Sequence, residues 1–394
     1  MIAKLLSKEL ENRESRNELR KLRILPSHHV DFCSNDYLGL IRSGDLERSI
    51  QEAITTACPT SSRLAGAGSS RLIAGNNEHV QAFEEWLSTF YGGEAALIFT
   101  SGYNANLGLI SALGTLNDLV FLYDEQIHAS MRDGFRLSRA KSHHFQHNDL
   151  DHLENLLQRQ KKEVIVFAEA VYSMEGDRAP LVDMVELIER YGAKLIVDEA
   201  HAVGLYGASG EGLVQSLGLS DRVFARVCGW GKAHGSQGAV IIAEQQTKEF
   251  LINFSRPFIY STGISHLVLI AAECSYRIVQ RARTERAKMK RLIDEWNTHP
   301  SNDLITISNN ATPIQILQPA QPRAEATALI HKLSSILLAH KMNVVPIYSP
   351  TVSRGSERIR ISLHAFNSPE EVRTLLQLVD NIAMSTDIIA EGSA

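Results

Sequence analysis

Asp198 and Lys232 are the residues whose setting first suggests chemistry. Asp198 closes the apolar run KLIVD and is followed three residues later by His201, in VDEAHAVG. Lys232 stands 34 residues after Asp198, in GWGKAHGSQGA, among glycines and small residues just before another apolar run. In an open α/β sheet, ligands bind beyond the carboxyl ends of the strands, so polar residues in these places carry the most interest. Each has an ordinary explanation when taken alone. An Asp after a strand is most often a cap or turn residue, and most loop lysines are solvated charges. Two phosphate motifs fail on spacing. A P-loop needs Gly six residues before the Lys and Ser or Thr after it, where this chain has Arg226 and Ala233, and GASGEG lacks the GxGxxG pattern.

Together the two residues fit one chemistry. Pyridoxal phosphate (PLP) is held by a lysine as a Schiff base and needs an acidic group at its pyridine nitrogen, so that the ring can accept electrons from a substrate carbanion. Two further places suit the same cofactor. TSGYNAN follows the run AALIF and opens a helix, so Ser101, Gly102 and Tyr103 can hold a phosphate through backbone N–H groups and the positive helix end. A plain strand-to-helix turn explains that segment equally well. His128 follows LVFLYD, where an imidazole could lie flat on the cofactor ring, although a lone His is more often structural.

The elements that must position these residues follow from pattern. Leu5, Leu6, Leu10, Leu19 and Leu22 among many charges predict an amphipathic helix ending at Pro26, within an N-terminal arm over residues 1–44. Helical stretches over 45–57 and 78–91 lead into the short apolar runs AALIFT, LVFLY, EVIVFAEA, KLIVDEA and GAVIIA, separated by further helical stretches. That alternation predicts an α/β fold with a mostly parallel sheet covered on both faces, a large PLP-binding domain over 45–285. A long charge-rich helical region from Ile264 to Trp296 leads into a smaller α+β C-terminal domain over 286–394. With 394 residues, 44% of them apolar, the chain is long enough for this plan. A net charge of -5 without a basic stripe argues against a nucleic-acid partner. Cys33, Cys58, Cys228 and Cys274 form no CxxC pair, so neither a metal site nor a disulfide framework is expected. The charged N-terminal region predicts no signal peptide or membrane span, and a cytoplasmic protein is expected.

SNDYLGL, GAGSSRLIAGN, SGYNAN, HNDLDHL, EAVYSMEGDRAPL, VDEAHAVGLYGASGEG, FIYST and ERIRISL occur in this order over nearly the whole chain. In this the sequence resembles the α-oxoamine synthase family of fold-type I PLP enzymes, and SNDYLGL, HND and the short arm are most similar to its members in biotin synthesis. The resemblance implies decarboxylative condensation of L-alanine with a pimeloyl thioester of CoA or an acyl carrier protein, in a homodimer with shared active sites. It implies that Lys232, His128, Asp198 and His201 are catalytic, with Asp198 at the pyridine nitrogen, His201 and Ser173 near the ring hydroxyl, and His128 stacked on the ring. Ser101, Gly102, Tyr103, Ser261 and Thr262 would contact phosphate, while Asn35 and Arg360 would hold the substrate carboxylate, Arg360 by a two-pronged pairing. The sequence departs from the family at Gly229, where Thr is usual, at Gly263 and Ser265-His266 in YSTGISH, and at His234. Other members join glycine to acetyl-CoA or succinyl-CoA, or serine to a long acyl chain, and pattern alone does not set pocket shape. A non-catalytic PLP-fold paralogue is a further class, suggested by Gly229 and Gly263 and opposed by the joint presence of Lys232, Asp198, His201, His128 and Arg360.

Overall fold

The computed structural model describes residues 1–16, 18–57, 64–320, 326–349 and 351–384, so Cys58 lies outside the described residues. The chain divides into a larger unit of residues 35–173 and 177–287 and a smaller one of residues 1–34, 174–176 and 288–394.

Seven strands build the larger unit: β1 Ala95–Phe99, β2 Leu119–Asp124, β3 Lys141–Phe145, β4 Glu163–Glu169, β5 Lys194–Asp198, β6 Ala225–Gly229 and β7 Ala239–Ala243. Their order across the sheet is β1-β7-β6-β5-β4-β2-β3. The run from β6 to β3 is parallel, and β7 lies antiparallel to both β6 and β1. The sheet is therefore mostly parallel. AALIF and AVIIA are buried at every position, which is why these strands read as continuous runs and not as alternating ones.

Two strands have no such signal in the sequence. In β6 the run is interrupted by Arg226, which is 1% exposed. Its charge is matched inside the core: Arg226 donates to the Tyr91 carbonyl, and its Nη1 lies 3.5 Å from Glu199 Oε2. β3, KSHHF, is an edge strand paired only with β2, and most of its side chains face solvent.

Helices α1 (Glu78–Phe90), α2 (Gly102–Leu113), α3 (Ala129–Leu137) and α4 (His266–Arg281) belong to the same unit. Val80, Phe83 and Leu87 of α1 meet Leu269, Ala272 and Tyr276 of α4 over Ile98, Cys228 and Val240 of the sheet. Tyr276 Oη, 2.7 Å from Tyr91 Oη, accepts from Trp230 Nε1 at 2.9 Å, so the polar tips of this aromatic cluster are satisfied. α2 is buried along most of its length, and it can approach closely because residue 108 is glycine. A Cβ there would sit 2.3 Å from Ser255 Oγ and 3.2 Å from the Phe99 ring.

The smaller unit holds an antiparallel sheet of β8 Ile305–Ile307, β9 Ile314–Pro319, β10 Val345–Ile347 and β11 Arg358–Ser362, in the order β10-β11-β9-β8. Helices Ala326–Ala339 and Pro369–Met384 accompany it. Val30–Asp31 pairs in parallel with Met342–Asn343.

Two expectations are corrected. The N-terminal helix runs from Ile2 to Glu14 and does not continue to Pro26; it has no buried residue, so no packing extends it. The helical region from Ile264 to Trp296 is two helices, His266–Arg281 and Arg283–Asn297, separated at Ala282. Among the described residues no helix is long and apolar enough to cross a membrane.

Candidate active site

The strand registers of the larger unit bring the chemistry-bearing residues to one edge. Glu169 ends β4 opposite Asp198, which ends β5. Gly229 ends β6 opposite Ala239, which starts β7 and itself pairs with Phe99 at the end of β1. The segments 100–102, 230–232 and 236–238 therefore leave the sheet side by side. They enclose a cavity of about 280 Å³ whose lining includes Asn35, Ser101, Gly102, Tyr103, His128, Asp198 and Lys232. Seven of the residues expected from sequence are thus brought together.

Asp198 is held by neighbours of its own unit. Asn106, one turn into α2, donates from Nδ2 to Asp198 Oδ2 at 2.6 Å and to Ser130 Oγ at 3.1 Å, while the Ala200 N–H donates to Oδ1 at 2.8 Å. Ser130 in turn orients His128, the N-cap of α3: the Ser130 N–H donates to His128 Nδ1 at 3.2 Å, and Ser130 Oγ lies 2.8 Å from the same atom. With Nδ1 accepting, the neutral ring carries its proton on Nε2. Burial pushes the His128 pKa down; the Asp198 charge opposes this and the Lys232 charge adds to it.

Glu169, Asn106, Ser130, Ser236 and Gln237 line the same cavity and were missed from sequence. Glu169 is 3% exposed, and its Oε1 has no hydrogen-bond partner among the described residues. Burial first, then the facing Asp198 charge, push its carboxyl up to about 8, against smaller opposite effects of Lys232 and the His128 backbone N–H. The signal for Glu169 was available: it ends EVIVFAE as Asp198 ends KLIVD. Asn106 had none, since its partner is 92 residues away.

The remaining expected residues lie elsewhere. His201 is buried beside the cavity residue Asn35 through Tyr37: Tyr37 Oη donates to Asn35 Oδ1 at 3.3 Å and lies 2.8 Å from His201 Nδ1. Ser173 is buried but is not a lining residue. Ser261 and Thr262 precede α4 and do not line the cavity either; the next residue, Gly263, donates its N–H to the Ser69 carbonyl at 2.9 Å. Arg360 belongs to the smaller unit, where it sits buried in β11 and donates to Ser362 Oγ at 2.9 Å. Among the described residues no cluster could hold a metal ion.

The donor set suits PLP. The cavity offers one primary amine at Lys232, a carboxylate at Asp198 with two donors fixing it, an imidazole at His128, and the N-terminus of α2. At that N-terminus the ground is open, since a Cβ on Gly102 would meet nothing within 4 Å.

Comparison with known proteins gives the family. The family model described as aminotransferase class I and II matches residues 27–379. The 8-amino-7-oxononanoate synthase of Emericella nidulans is 36% identical over 398 residues, covering 95% of this chain and 94% of that one. Among solved structures, the 8-amino-7-oxononanoate synthase of Francisella tularensis superposes with a TM-score of 0.75 at 27% identity, covering 91% of this chain and 98% of that one. A structure described as SPT with PLP internal aldimine gives a TM-score of 0.80 at 25% identity, covering 92% and 89%.

Proposed function

This chain belongs to the aminotransferase class I and II family and, within it, to the α-oxoamine synthases, and from that premise we propose that it is a PLP-dependent acyltransferase making 8-amino-7-oxononanoate for biotin synthesis. The reaction joins L-alanine to a pimeloyl thioester, of CoA or an acyl carrier protein, with loss of the thiol and CO2. The observation that carries the reading is Lys232 and Asp198 lining one cavity at the carboxyl edge of the sheet.

Lys232 would hold the cofactor through Nζ, Asp198 would keep a proton on the pyridine nitrogen, and the backbone N–H groups of Gly102 and Tyr103, with Ser101, would receive the phosphate. Bound PLP supplies a ring that can accept the electrons of the substrate Cα–H bond. Asn106 and the Ala200 N–H fix Asp198 in place, and Ser130 orients His128, which would lie against the ring. Asn35 and Arg360 are assigned to the substrate carboxylate, which orients Cα–H for removal. Once the substrate amine has taken its place on the cofactor, the freed Lys232 Nζ would take the Cα proton, and the same amine would return a proton after CO2 leaves. His201, whose Nδ1 lies 2.8 Å from Tyr37 Oη, would act on the ring hydroxyl with Ser173.

A homodimer is the proposed assembly, in which Ser261 and Thr262, outside this chain's own cavity lining, would serve the partner's site. A cytoplasmic setting is proposed with it, on the free thiols of Cys33, Cys228 and Cys274. The substrate assignment is tested by turnover with alanine, glycine and serine, each against pimeloyl, acetyl, succinyl and palmitoyl thioesters. Product from alanine with the pimeloyl thioester is expected. Product from glycine with none from alanine would overturn it.

A further inference from the structure

The cavity contains a hydroxyl that the reaction as described does not use. Ser236 lies in the segment between Lys232 and β7, and its backbone N–H donates to the Trp230 carbonyl at 3.0 Å. Its Oγ is buried, yet it has no hydrogen-bond partner among the described residues. A buried hydroxyl without a partner costs free energy, so one that lines a ligand cavity points to a ligand that completes it. The strand pairing shows which part of a ligand that is. Phe99, Ala239 and Gly229 stand in one row across β1, β7 and β6. Ser236–Gly238, immediately before Ala239, therefore runs beside Thr100–Gly102, where the N-terminus of α2 opens onto the cavity. In the same row Gly229 offers no side-chain donor. A hydroxyl could be added there only against the Ala200 Cβ, which a Cβ at 229 would meet at 3.2 Å.

We propose that Ser236 donates its hydroxyl to the phosphate group of the cofactor, supplying from the β7 side the donor that β6 lacks at Gly229. The inference rests on the reading of the cavity as a PLP site and goes beyond it by assigning an anion contact to Ser236. A phosphate at the end of α2 would then receive donors from two directions, the helix N-terminus and Ser236 Oγ. Ser236 is a binding residue here and takes no part in proton transfer.

The test uses the apoprotein titrated with PLP and, separately, with pyridoxal, which has the same ring and aldehyde and no phosphate, read by the absorbance of the lysine-bound form. Ser236→Ala is expected to bind PLP about tenfold more weakly than wild type, as loss of a hydrogen bond to a charged group implies, while binding pyridoxal equally well. Ser236→Thr, which keeps the hydroxyl, is expected to stay within about threefold of wild type for PLP. Unchanged PLP affinity in Ser236→Ala, or an equal loss for both compounds, would overturn the proposal. A wild type that bound neither compound would overturn the assignment of the cavity itself, and this inference with it.

Discussion

Glu169 and Asp198 end neighbouring strands face to face, and two carboxyl groups so placed do not both ionise easily. Asp198 receives the Asn106 and Ala200 donors, whereas Glu169 Oε1 has none among the described residues, so the proton resides on Glu169. With its pKa up at about 8, Glu169 is neutral at pH 7 and gains a second buried negative charge as pH rises through that value. PLP affinity of the wild type is therefore expected to fall between pH 7 and pH 9, and Glu169→Gln, which copies the neutral acid, is expected to remove that fall; equal slopes in titrations of the two proteins would contradict this. Asn106→Ala takes away a 2.6 Å hydrogen bond from Asp198 and is expected to weaken PLP binding by about tenfold in the same titration. At this scale the sequence was legible where a rule of position exists. Asp198 and Lys232 follow from strand ends and glycine-rich turns. Asn106, Tyr37 and Ser236 matter only through partners distant in the chain or through a hydroxyl left without one, which no local pattern records.

Between elements, His147 ties the loop after β3 to its neighbours. Its Nδ1 lies 2.9 Å from Asp124 Oδ1, at the end of β2, and its Nε2 lies 2.9 Å from Asp177 Oδ2. Burial lowers its pKa, but the hydrogen bonds to Asp124 and Asp177 outweigh this and drive it up to about 10. The folded chain thus holds this proton more tightly than the unfolded chain. The stabilisation is complete below the ordinary histidine value near 6.5 and is lost as pH rises to about 10. The urea midpoint is expected to fall over that range, and His147→Gln to flatten the fall; a slope that survives the substitution would count against the clasp. Gly108→Ala is a test of packing, because the new Cβ would meet Ser255 and Phe99, and a loss of about 1–3 kcal/mol is expected in the same denaturation experiment. Continuous apolar runs made most of the central sheet legible. β6 and β3 were not, the first because Arg226 is neutralised by groups far along the chain, the second because an edge strand need not be apolar.

For the molecule as a whole, the α/β layering and the smaller α+β pattern were legible from alternating runs, and the family from motifs spread along the chain. The composition of the smaller unit was not. Val30–Asp31 joins it by pairing with Met342–Asn343, more than 300 residues away, and residues 174–176 join it through contacts such as Arg358 with the Met174 carbonyl and Glu175. The central claim is that Lys232 carries the cofactor in the cavity that Asp198 helps to form. Borohydride reduction of the PLP-loaded protein, followed by peptide mass mapping, reads this directly. The phosphopyridoxyl group is expected on the peptide containing Lys232 and on no other lysine, and to be absent from Lys232→Ala. A label on a different lysine, or a wild type that takes none, would contradict the account.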